Sequence, residues 1–376
     1  MLIIFRHDST TQVIIHTANM IAFDWANMTQ GLWKSPLLPE LKPSQSEPLN
    51  PKIGTGVKFK IDLLNYLRAY DTRRVICKPL IEQLSKYDFS EIRAALVASV
   101  PGRQGIETDS KTVWGWAGLA KVLSCVPVTK SESEIVIQIS SIATLGVNDK
   151  WLDKTLFKAL STSKGNGPNR SNPKFRIIFP TADEIRRSLN GYKSGSAIHT
   201  KIQTAAQQKQ LAYLKPLLYH WAGDGAHHTL ATPSSDACRK RAAPHIKTFV
   251  RFSDPTFTSI DWMLVTSANL SKQAWGEATN SAGEIRICSY EIGVMVWPEL
   301  FGESAEMVPT FKADKPELCR GKEVGKEVGK DGEVKVVVGA RMPYDIPLVK
   351  YGRDDVPWCA SASYTETDWM GETWNV

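Results

Sequence analysis

Apolar residues in this chain fall into short unbroken runs, separated by stretches in which they recur at helical spacing. Leu2–Phe5 and residues 13–15 are continuous apolar runs and predict strands buried on both faces of a sheet. Phe59, Leu63, Leu67 and Tyr70 recur at the spacing of one helix face. Residues 94–98, ending at Pro101-Gly102, and residues 135–139 and 175–179 predict further strands. Thr181-x-x-Glu184 ahead of Ile185 and Leu189 predicts a capping box at the start of a helix, and residues 202–221 predict another helix. Residues 35–51 are Pro/Ser-rich and loop-like, and the low-complexity stretches 161–173 and 321–335 read as solvated loops. Strands alternating with helices indicate an α/β sheet packed on both faces. A core strand opening at residue 2 has two readings: a tied-down terminal strand, or a fold to which preceding sequence also belongs. The second is the expectation here, and it carries a further one. A sheet edge left uncovered near Leu2–Phe5 would give low solubility.

The chain also repeats itself. Ile15-His16-Thr17-Ala18-Asn19-Met20, with Trp25 following, matches Val265-Thr266-Ser267-Ala268-Asn269-Leu270, with Trp275 following. Each copy has an apolar strand end, Ala-Asn, an aliphatic residue, and Trp six positions after Asn. Such a repeat implies two pseudo-equivalent halves meeting at a shared site.

Composition narrows the class. In 376 residues, 42% hydrophobic and 23% charged, there is material for one large globular domain or two ordinary ones. No run approaches the roughly 18 apolar residues of a membrane span, and the apolar start lacks the basic region of a signal peptide. The six cysteines (Cys77, Cys125, Cys238, Cys288, Cys319, Cys359) are scattered without a C-x-x-C. That argues against a disulfide framework or a zinc site and for a reducing compartment. A net charge of +7 suits a polyanionic partner without demanding one.

Candidate chemistry lies just upstream of the second repeat. In His245-Ile246-Lys247 the first and third side chains point the same way along a strand. Asn269 follows the next strand, and two adjacent parallel strands would bring all three side chains to one end of a sheet. The residue types suit a phosphodiester: Lys supplies charge to phosphate oxygens, Asn an uncharged donor, and His a nucleophile or proton carrier. No carboxylate cluster accompanies these positions, so a metal-independent reaction is expected. His199-Thr200-Lys201 is set aside, because it leads into an amphipathic helix with no apolar strand and no Asn soon after. The plain alternative for His245 and Lys247 is a surface pair on an edge strand.

A His-x-Lys…Asn pattern used twice resembles the phospholipase D superfamily. The run HIKTFVRFSDPTFTSIDWMLVTSANLSKQAWG is similar to the tyrosyl-DNA phosphodiesterase family within it. VIIHTANMIAFDWANMTQGLWKSPLLP, ASVPGR, QISSIATLG, SGSAIHTKIQTAAQQ, SYEIGV and MPYDIP…YGRDDVPW carry the resemblance almost end to end. It implies two phospholipase-D-like αβα halves, the first incomplete at residues 1–90 and the second spanning 91–376 with a loop at 321–335. It implies a DNA repair phosphodiesterase that hydrolyses 3′-phosphotyrosyl and related 3′-blocked DNA ends through a phosphohistidine, with no cofactor and no metal. Its partners would be single- and double-stranded DNA 3′ ends carrying a topoisomerase I-derived peptide. The protein would be a nuclear monomer without membrane contact. By the same resemblance His245 is the acid/base. Lys247, Asn269 and Asn19 hold the phosphate, Gln30 orients His245, and Glu291 orients a second imidazole. Ser141, Thr144, Ser196, Ser271, Lys272 and Trp358 fall where that family contacts DNA or flanks the site. The pattern is broken in one place: the first His-x-Lys would lie ahead of residue 1, since neither His7 nor His16 has Lys two positions on. The rival expectations are a DNA-end-binding product without turnover and a related hydrolase acting on other diesters.

Overall fold

A computed structural model describes residues 1–42, 48–71, 75–106, 112–128, 132–165, 172–221, 235–316, 326–328 and 334–376. Its centre is a ten-stranded mixed sheet. Strands Glu134–Gln138 and Thr248–Phe252, buried at every position, lie side by side in it and run antiparallel. Lys174–Ile178 and then Leu218–Tyr219 extend it in parallel on one side. On the other side Ile260–Thr266, Glu291–Val296 and Ala95–Ser99 follow, each antiparallel to its neighbour. A second sheet of four short strands is built from Leu2–Phe5, Thr10–His16, Leu32–Lys34 and Leu38–Pro39.

Side chains alternate faces along a strand, and Ala95–Ser99 uses both faces. Ala95 and Val97 join a core with Val136, Leu264 and Trp275. Leu96 and Ala98 join a second core with Val13, Ile15, Phe59, Leu63 and Leu67. The last three lie on helix Gly56–Tyr70, whose first turn Thr55 caps by accepting from the Lys58 N–H. The Thr181–Glu184 capping box forms with both of its hydrogen bonds.

Four expectations change. Leu2–Phe5 is half-buried, with Ile4 43% exposed, and Thr10–His16 buries Val13 and Ile15 but not Ile14 to the same degree. These strands form an antiparallel hairpin covered on one face, so their apolar runs did not mean burial on both. The helix expected over 202–221 covers only Ala205–Leu214, starting at a Thr204/Gln207 capping box. Pro216 falls in the 3-10 turn that follows, and Leu218–Tyr219 is a strand; proline has no N–H to extend the helix. Within 321–335, Lys326–Val328 pairs antiparallel with Val334–Arg341, whose valine run favours a strand over a loop; the rest of 321–335 lies outside the described residues. Leu38–Pro39, inside the loop-like stretch, pairs with Thr10 and Thr11.

Candidate active site

The sequence repeat is a structural repeat, down to single hydrogen bonds. The Thr17 N–H donates to Gly31 O and the Ser267 N–H to Ile292 O, both at 3.0 Å. The N–H of Gly31 donates back to Thr17 Oγ1 at 2.9 Å, and that of Ile292 to Ser267 Oγ at 3.0 Å. Trp25 Nε1 donates to Asn19 O at 2.8 Å and Trp275 Nε1 to Asn269 O at 3.0 Å. In each copy the hydroxyl also donates to the residue just before the paired strand position: Thr17 to Gln30, Ser267 to Glu291. Gln30 and Glu291 are therefore equivalent residues of the two halves.

A two-residue parallel pairing, Met28–Thr29 with Ala243–Pro244, joins the halves at the site. It is secured by the His245 N–H donating to Thr29 O at 3.0 Å and by Thr29 Oγ1 donating to Ala242 O at 2.7 Å. The imidazole of His245 then reaches the first half. Its Nδ1 lies 3.2–3.3 Å from the Gln30 amide and 3.3 Å from Asp24 Oδ2. Thr17 Oγ1 donates to Gln30 Oε1, and Gln30 Nε2 donates to Asp24 O, so the amide is held from both ends. Lys247 Nζ sits 3.2 Å from His245 Nε2 on the other side of the ring.

Lys247 and Asn269 reach one end of the sheet by a different route from the one the sequence suggested. Strands Thr248–Phe252 and Ile260–Thr266 are antiparallel rather than parallel, joined by a short connection. An antiparallel pair puts the start of one strand beside the end of the next. The Thr266 N–H accordingly donates to Lys247 O at 3.1 Å. Asn269 Oδ1 accepts from the N–H groups of Ser140 and Ser141 at 3.0 and 2.9 Å and from Ser140 Oγ at 3.2 Å. With its oxygen saturated, the amide offers donors to a ligand.

Burial sets the charges. Burial, reinforced by the Lys247 charge, lowers the His245 pKa to about 4; the Asp24 carboxylate acts in the opposite sense. Burial lowers Lys247 to about 7, against the pull of Asp24 and Glu291. Burial also raises the Glu291 carboxyl, which the Ser267 and Ser289 hydroxyls and Lys247 partly offset. Such a site is poised for an anion: a phosphate oxygen near Lys247 would restore the ammonium and stabilise an imidazolium.

Of the expected contact residues, Ser141, Thr144, Ser271 and Lys272 line one cleft of about 290 Å³, and Ser141 N also touches Asn269. Ser271 is buried there, its hydroxyl accepting from Gln273 N and Ala274 N as a helix cap. Lys272 Nζ lies 6.0 Å from the Trp151 ring centroid. Ser196 is not among the lining residues and donates to Lys193 O. Trp358 presents no surface to a ligand: it is 0% exposed and donates to Gly195 O and Ile198 O. The indole packs so closely on Gly195 that a Cβ there would meet the ring at 2.2 Å. Asn19 is exposed beside the Asp24 carboxylate that holds its N–H.

Two residues were missed. Asp24 is buried between Asn19 and His245; the signal was an Asp inside the repeat where the second copy has Ala274. His199 had been set aside with Lys201, yet both line the cleft. Residue 199 bridges to Ser141, and burial and the Lys247 charge both lower the His199 pKa. What followed His199 in sequence was a poor guide, because the bridge comes from residues about sixty positions earlier.

The family model described as "Tyrosyl-DNA phosphodiesterase" matches residues 1–352. A probable tyrosyl-DNA phosphodiesterase of Schizosaccharomyces pombe is 33% identical over 98% of this chain and 75% of its own length. Tyrosyl-DNA phosphodiesterase 1 of Arabidopsis thaliana is 31% identical over 96% of this chain, and that of Drosophila melanogaster 32% over 93%. The chain spans 59% and 54% of those two proteins. The crystal structure of yeast tyrosyl-DNA phosphodiesterase superimposes with a TM-score of 0.64 at 20% identity, over 95% of this chain and 75% of that one, and so shares the fold. With a family match over nearly its whole length and relatives above 30% identity, the chain belongs to the tyrosyl-DNA phosphodiesterase family of phosphoric diester hydrolases.

Proposed function

We propose that the protein hydrolyses the bond between a DNA 3′ phosphate and a tyrosine of a topoisomerase I-derived peptide, as a nuclear monomer that needs no metal or cofactor. The carrying observation is the contact of His245 with Lys247, with Nε2 turned to the lysine and Nδ1 to Gln30 and Asp24, while Asn269 follows the strand end that pairs with Lys247. Lys247 and the amide donors of Asn269 would hold the non-bridging phosphate oxygens. An imidazole opposite His245, facing Glu291, would attack phosphorus. The P–N bond forms as the P–O bond to tyrosine breaks, and His245 gives its Nε2 proton to the tyrosine oxygen. Neutral His245 then takes a proton from water, whose oxygen displaces the histidine and releases a 3′ phosphate. The cleft of Ser141, Thr144, Ser271 and Lys272 would receive the DNA backbone without reading bases.

The His-x-Lys pairs within residues 1–376 are His199/Lys201 and His245/Lys247. In this reading the nucleophile is a further histidine facing Glu291, which neither pair supplies. That count equally favours a second reading, binding of a DNA 3′ end without turnover. Single-turnover cleavage of a 3′-phosphotyrosyl oligonucleotide, in EDTA, separates them. The 376-residue chain is compared with a version extended upstream through such a motif. Cleavage only by the extended form supports the proposal, and cleavage by neither favours the binding role. Cleavage by the shorter form would overturn the two-histidine assignment.

A further inference from the structure

The two half-sites are equivalent in backbone but not in charge. At the position five residues after the repeated Asn, the second half has Ala274 and the first has Asp24. Its side chain is 0% exposed. One oxygen, Oδ2, accepts from the Asn19 N–H at 2.7 Å and lies 3.3 Å from His245 Nδ1. The other, Oδ1, is buried with no hydrogen-bond partner among the described residues. At the orienting position itself the charge pattern is reversed: Glu291 in the second half, neutral Gln30 in the first. Each half thus brings one carboxylate to the site, Asp24 buried and Glu291 half-buried, in different places.

We propose that Asp24 is a positioning residue for His245: its carboxylate fixes the proton on Nδ1 and leaves Nε2 as the working nitrogen. One contact on the Nδ1 side can serve only one tautomer. The Gln30 amide presents both Nε2 and Oε1 to Nδ1, at 3.2 and 3.3 Å, and can serve either tautomer, whereas Asp24 Oδ2 on the same side can only accept. Across the ring Lys247 is a donor. A buried imidazole with a carboxylate at Nδ1 and a lysine N–H donor at Nε2 carries its proton on the carboxylate side. The charged groups facing His245 are Lys247 on its own segment, Asp24 from helix Ala22–Trp25, and His199 from the cleft, with Glu291 acting on Lys247. Of these, Asp24 is the one that favours the imidazolium. The same oxygen holds the Asn19 turn, so it also ties His245 to the phosphate-facing part of the first half.

The inference rests on the acid/base role proposed for His245, but its main test needs no turnover. In the full chain, ¹⁵N chemical shifts of His245, assigned by difference from His245→Gln, report the tautomer directly. The expected result is a proton on Nδ1 and a bare Nε2; a proton on Nε2 overturns the proposal on the unaltered chain. Asp24→Asn keeps the oxygen that holds Asn19 and removes the charge. The charged fraction of His245 at pH 5 should then fall about tenfold, the effect of losing an opposite charge at this range. An unchanged fraction in a folded variant overturns the charge role. In whichever form of the enzyme turns over, Asp24→Asn should also lengthen the life of the covalent intermediate. If no form turns over, the functional reading fails while the ¹⁵N result still decides the role of Asp24.

Discussion

The first and second copies of the Asn–Trp turn make the same hydrogen bonds in very different surroundings. Trp275 is 1% exposed and packs edge-on against Phe249 in the main core. Trp25 is 51% exposed, and the His16 ring lies 5.2 Å from it. His16 is itself buried, with both ring nitrogens lacking hydrogen-bond partners among the described residues. The difference teaches that the turn geometry is set locally, by the Thr17 or Ser267 hydroxyl and the indole N–H, and does not depend on the core behind it. Burial then decides how much each copy contributes to stability and how strongly its polar groups act on a ligand.

The comparison can be broken in several ways. The largest expected effect is on stability. Trp275→Ala should cost about 3–5 kcal/mol, as for other buried aromatic truncations, while Trp25→Ala should cost about 1 kcal/mol, mainly its hydrogen bond. Equal losses in urea unfolding would show that the two turns share one environment. Next comes chemistry. Asn269→Ala should lower the single-turnover rate about 10²–10³-fold, the usual cost of losing a preorganised donor. Asn19→Ala should cost less, because its side chain is exposed whereas Ser140 and Ser141 lock that of Asn269. A larger effect at Asn19 would reverse that ranking.

A smaller effect follows from Lys247. Burial holds its pKa near 7 in the free protein, and a bound phosphate needs the ammonium. Above that pH binding must take up a proton. Affinity for a non-cleavable phosphodiester oligonucleotide should therefore fall with rising pH, by at most about tenfold per unit. Calorimetry in buffers of different ionisation enthalpy would detect the uptake, and pH-independent binding would argue for a fully charged lysine. The smallest effect lies outside both half-sites. His220 Nε2 is 2.8 Å from Asp355 Oδ2 and Nδ1 is 3.4 Å from Glu184 Oε2. Burial lowers its pKa, but the two carboxylates outweigh burial and the net shift is upward. A raised histidine stabilises fully below its unfolded pKa of about 6.5 and loses that contribution as pH rises through the folded value. His220→Gln should thus cost about 1 kcal/mol at pH 6 and progressively less toward pH 9. A loss that does not vary with pH would mean the ring acts by packing alone.

Much of this was legible in the sequence. The apolar residues 135–137 announce the strand Glu134–Gln138, and the capping box is a local pattern, whereas Thr248–Phe252 is buried at every position with Arg251 inside it. The Asn–Trp repeat and the His245–Lys247 alternation were equally local. Strand direction was misread: Thr248–Phe252 and Ile260–Thr266 pair antiparallel, as the short link between them favours, because a parallel pair needs a longer crossover. His199 and Asp24 were hidden because their partners are distant in sequence, Ser141 for residue 199 and His245 for Asp24. Trp358 shows the opposite error. An aromatic residue that the family resemblance set beside the site is a buried support for the turn at Gly195.

The most direct test of the account is to follow a labelled 3′-phosphotyrosyl oligonucleotide on denaturing gels with His245→Ala, in the form of the enzyme that turns over. The account predicts that DNA-linked protein accumulates and is released about 10²–10⁴-fold more slowly, the usual worth of a general acid–base group. Release at the normal rate, with no linked species, would contradict the role assigned to His245.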